Sequence, residues 1–85
     1  MDPNQIEEKL VALLSSIRTA LPDMYLGNVP ELVAVWEFKV AMEMLCDHIG
    51  DQYGDICPES VYPDLVAVAQ ELGVDRRYWE GIRPG

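Results

Sequence analysis

EFKVAMEMLCDHI, residues 37–49, reads as the central helix of an all-helical protein. At 3.6 residues per turn, Ala34, Val35, Phe38, Ala41, Met42, Leu45, Cys46 and Ile49 cover one wide apolar arc. Lys39, Glu43, Asp47 and Gly50 lie opposite. So wide an arc predicts a helix packed on more than one side. Glu37 and His48 share an edge of the arc with Met44, where partial burial or a groove is expected. Upstream, Asn28 with Glu31 spells a capping box, and Pro30 fits the first turn, where its missing N–H costs little. A helical region is therefore expected over residues 29–50. That is long for so small a chain, and a break near Val35 is expected to divide it into a short and a longer helix.

Working towards the N-terminus, residues 3–21 predict a helix capped by Asp2, with Pro3 in the first helical position. Ile6, Leu10, Leu13, Leu14, Ile17 and Leu21 form its inner stripe, and Pro22 ends it. Residues 23–28 read as a turn with Gly27 at positive φ, Tyr25 and Leu26 folding back onto the core. Towards the C-terminus, residues 51–59 read as a polar loop. A helix is expected over residues 60–72, with Ser60 as its N-cap, Val61, Leu65, Val68, Ala69 and Leu72 inward, and Gly73 at its end. Asp75 then caps a short closing helix over residues 76–81, its Tyr78 and Trp79 sealing the core with Ile82. No stretch alternates with the period of a strand. The expected architecture is a small four-helix bundle with a short closing helix, one domain over residues 1–85.

Charge is the strongest compositional signal. The 85 residues carry 15 acidic and 6 basic side chains, a net charge of −9. Between Asp23 and Asp75, eleven acids face the single base Lys39. Such a surface repels nucleic acid and anionic lipid, and it attracts a basic protein. Two cysteines are too few for a disulfide framework, and no run of residues has the length of a membrane span. A cytoplasmic protein with both thiols free is expected. Cys46 and His48 are two apart on a helix and point in different directions, so Cys46, Asp47, His48 and Cys57 lack the paired short spacings of a zinc site. There is one histidine and no glycine-rich phosphate loop, so neither a catalytic constellation, a metal nor a cofactor is expected.

What remains is binding. Glu43, Asp47, Asp51 and Asp55 follow one another at four-residue spacing, which stacks like charge on one helical face and carries it to the negative end of the helix dipole. Violations of good helix design tend to mark functional sites, and a basic partner would relieve this one. Trp36 and Tyr53 are the aromatic candidates for anchors at such an interface.

The same residues carry a family resemblance. EFKVAMEMLCDHI, a polar loop, and then YPDLVAVAQELGVDRRYWEGI resemble the MafI-type family of immunity proteins of bacterial polymorphic toxin systems. The matching positions are Glu37, Phe38, Ala41, Glu43, Leu45 and Asp47, followed by Leu72, Gly73, Val74, Asp75 and Trp79, so that the match covers about the C-terminal half of the chain. The resemblance implies a cytosolic protein that neutralises a cognate toxin domain, often a basic nuclease, by tight binding. A regulatory module that takes a peptide between its helices, an oligomer-forming accessory protein and an enzyme with a cleft at Glu37 and His48 are the rival readings.

Overall fold

The computed structural model describes residues 2–85. The chain begins with α1 (Pro3–Ala20), opened by the Asp2 carboxylate, which accepts the Asn4 N–H at 2.9 Å. Ile6, Leu10, Leu13, Leu14 and Ile17 are buried, as their spacing predicts, and Leu21 closes the helix by donating its N–H to the Ile17 carbonyl.

The next segment corrects one expectation. Met24 and Leu26 are buried, but Tyr25 is 69% exposed. Side chains of an extended segment alternate, so Met24 and Leu26 face inward together and Tyr25 between them faces out. Its ring instead stands edge-on to His48, centroids 5.6 Å apart. The Gln52 side-chain amide clamps the Tyr25 backbone, accepting its N–H at 2.9 Å and donating to its carbonyl at 2.7 Å. Gly27 has φ +58°, and a Cβ there would sit 3.1 Å from His48 Nε2.

The expected break is present. α2 (Val29–Ala34) is followed by Val35, Trp36 and Glu37, and then α3 (Phe38–Tyr53) begins. The end of α2 is a Schellman motif: Trp36 N–H donates to Val33 and Glu37 N–H to Leu32. Trp36 occupies the left-handed position of that motif, φ +62°. Ala34 and Val35 therefore leave the apolar arc and are exposed, and Glu37 is exposed as well. Asn28 makes no side-chain cap, so no capping box forms at α2.

α3 is the hub. Phe38, Ala41, Met42, Leu45, Cys46 and Ile49 are buried along it, and it packs against α1, α2 and α5. It runs three residues beyond Gly50, so Asp51 and Tyr53 are helical rather than in a loop. Gly54, left-handed, ends it.

The fold is mostly helical, as expected, but the polar loop also holds a short strand that the sequence pattern does not signal. β1 (Ile56–Cys57) pairs in parallel with β2 (Arg83–Pro84), tying the two ends of the C-terminal half together. Arg83 N–H donates to the Asp55 carbonyl at 2.8 Å and Gly85 N–H to that of Cys57 at 2.9 Å. Between the strands lie α4 (Tyr62–Glu71) and α5 (Arg76–Trp79). Val61 rather than Ser60 stands at the α4 N-cap, with no side-chain cap bond. Leu65, Val68 and Ala69 are buried, and Gly73, φ +68°, closes α4 in a second Schellman motif through the bonds from Gly73 to Gln70 and from Val74 to Ala69. Asp75 caps α5 as expected, accepting the Arg77 N–H at 2.9 Å, and Trp79 donates its indole N–H to the Val74 carbonyl. Ile82 is buried just beyond. Among the described residues the core is wholly apolar, with no fully buried polar or charged side chain, and no helix is long and apolar enough to cross a membrane.

Candidate functional site

α3 sets its apolar arc inward, so its opposite face is the one left to solvent. Steps of four residues advance by only ~40° around a helix, so Glu43, Asp47 and Asp51 form one slowly turning row. Glu43 is half-buried, and Asp47 and Asp51 are exposed. Asp55 lies beyond the helix with φ +65°. Its carboxylate folds back over the last turn, so that a Cβ on Gly50 would meet Asp55 Oδ1 at 2.9 Å, and it also lies close to Gly81. The four acidic residues thus sit along α3 and around its C-terminal end, where the helix dipole is itself negative.

No salt bridge among the described residues covers this row, although Lys39 stands one turn before Glu43. Among the described residues, salt bridges join Lys9 to Glu71 at 2.9 Å and Arg76 to Glu80 at 4.0 Å, and neither touches the four acids. Arg77 is engaged elsewhere. Its guanidinium lies 5.0 Å from the Tyr78 ring centroid and reaches the Tyr78 hydroxyl at 3.4 Å. That contact is the main reason its pKa is raised; the carboxylates of Asp75 and, more weakly, Glu43 add to it.

The acidic row also acts inward. Burial pushes the Cys46 thiol up to about 12, with Asp47 as the next cause and Asp55 and Glu43 contributing. Burial alone raises Cys57 to about 11. Both cysteines are free and buried, so both are protonated thiols at neutral pH. His48 Nε2 is buried and has no hydrogen-bond partner.

The two aromatic candidates part company. Tyr53 is half-buried and packs against the core, six residues from Asp47 and therefore turned away from the acidic row. Trp36 lies outside α3, in the break, 48% exposed, its ring 6.2 Å from that of Phe38. Close to it in the chain, two aliphatic side chains are also open: Val35 is 68% exposed and Val40 is 41% exposed. Of these, Val40 was legible, since Val40 and Met44 are four residues apart beside the acidic series.

A second concavity lies between α1 and α4. Ala12, Leu13, Ala67 and Val68 line a groove of about 310 Å³, with Lys9, Glu71 and Asp64 among its charged residues. Small residues facing one another leave this space open. No group of metal-ligating side chains is present among the described residues. No protein-family model, curated protein or solved structure matches the chain.

Proposed function

We propose that this chain is an immunity protein: a non-catalytic, cytoplasmic inhibitor that binds a cognate bacterial toxin domain, basic in charge and of nuclease type, and neutralises it stoichiometrically. Its scaffold is read as a small four-helix bundle of α1 to α4, closed by α5. The observation that carries the proposal is the acidic row on the outer face of α3, which no cation among the described residues bridges. A rigid, apolar-cored helix holds like charges together at a cost, and a positively charged partner removes that cost. The likeness of residues 37–49 and of the segment from Tyr62 to the closing helix to MafI-type immunity proteins points the same way.

Binding would be by protein surface alone, with no cofactor, nucleic acid or membrane involved. Glu43, Asp47, Asp51 and Asp55 supply the attraction, Trp36 the apolar contact, and Tyr53 supports the helix from its inner side.

Co-expression tests the reading. The chain is expected to protect cells from a toxin domain encoded immediately beside it, and to co-purify with that domain at one-to-one stoichiometry. Failure to protect against any adjacent toxin domain overturns it. The groove between α1 and α4 favours a second reading, a regulatory module that takes a partner segment there. In that case substitutions of Ala12 and Ala67, not of the acids, would abolish binding.

A further inference from the structure

We propose that the outer face of α3 is the seat of a basic amphipathic helix of the partner protein, anchored on Trp36. This rests on the binding reading above and specifies what that surface takes. Two neighbouring rows run along the helix. Exposed Val40 and Met44, half-buried against the core, share one, and Lys39, Glu43, Asp47 and Asp51 share the next, acidic beyond its first residue. Rows four residues apart are the ridges between which a second helix packs. An apolar ridge beside an acidic one is complementary to a helix whose apolar stripe is flanked by lysine and arginine.

Trp36 stands four residues before Val40, at the break from which α3 starts. Its backbone is in the left-handed region, in the motif position that favours glycine. A bulky side chain there is an outlier, held against its own conformational preference. Its side chain is half exposed and follows Val35, the most exposed aliphatic side chain near α3. With Val40 they make three large apolar side chains open within residues 35–40.

A second copy of this chain is a poor occupant. A two-fold contact through this face would set Glu43, Asp47 and Asp51 against their own images. A basic helix meets both ridges with the right chemistry. The competing explanation of Trp36 is structural, as a cover over Phe38, whose ring it adjoins.

The test uses the full chain, labelled with 15N, and a synthetic 18-residue leucine–lysine amphipathic helix at low salt, with a leucine–glutamate peptide as the control. The lysine peptide is expected to shift the Trp36 indole N–H and the amides from Val40 to Asp51, and the glutamate peptide to shift nothing. Trp36→Gly is expected to hold or raise the melting temperature and to weaken the lysine peptide about tenfold or more. Trp36→Asn, which also tolerates the left-handed backbone, should behave alike. Shifts confined to the α1–α4 groove, unchanged affinity in both variants, or a lowered melting temperature in both would overturn the proposal. If the peptide fails to bind while the chain still protects cells and charge reversal weakens the toxin complex, the helix seat is wrong and the immunity reading stands.

Discussion

Cys46 and Cys57 are held as thiols by burial, and in the case of Cys46 also by the carboxylates above it. Both are expected to resist alkylation by iodoacetamide in the native protein at pH 8 and to react at once when it is denatured. The same shifts set a limit on stability. An unfolded thiol ionises near 9, whereas the folded ones ionise at about 11 and about 12. Below 9 both states carry the protons and the contribution is fully present. As pH rises from 9 through 11 to 12 the unfolded state loses protons first, and stability falls. Denaturant midpoints that decline across that range, with the decline reduced in Cys46→Ala, are the expected result. Gly27 is constrained twice over, by a positive φ and by His48 Nε2 at 3.1 Å from any added Cβ. Gly27→Ala is therefore expected to cost about 1–2 kcal/mol in chemical denaturation.

Among the elements, what could be read from the sequence was periodic or capped. The α1 stripe repeats over four turns, Asp2 and Asp75 bond the N–H groups their positions imply, and the break near Val35 falls where an over-long apolar stretch would have been. Other features turned on contacts between distant residues. The expected helix ends at Gly50, yet α3 passes through it, and the missing side chain leaves the room that the Asp55 carboxylate occupies. β1 and β2 are two residues each and 27 positions apart in register, too short to alternate and too far apart to form a local turn. The acidic row was legible from its spacing, but the place of Trp36 was not. Its left-handed backbone takes it off the helix on which a wheel would draw it. Capping gives a direct comparison. Asp2→Ala should cost about 1 kcal/mol and Asn28→Ala only a few tenths, since Asp2 caps and Asn28 does not. In the middle of α3, where Leu45 is wholly buried, Leu45→Ala is expected to cost about 2–5 kcal/mol.

At the scale of the whole molecule, a net charge of −9 is concentrated in a way that opposes stability and favours encounter. Asp51 repels Asp47 one turn away and sits near the negative end of the α3 dipole. Asp51→Lys is therefore expected to stabilise the free protein by about 0.5–1 kcal/mol while weakening its complex, an exchange of function for stability. The most direct measurement is the association rate with the cognate toxin domain by stopped flow, from low to physiological salt, for the wild type and for Asp47→Lys combined with Asp51→Lys. The rate of the wild type should fall steeply with salt, and the double variant should associate about tenfold or more slowly at low salt, the two converging as salt rises. Equal rates at every salt concentration would contradict the claim that this helix face receives the partner.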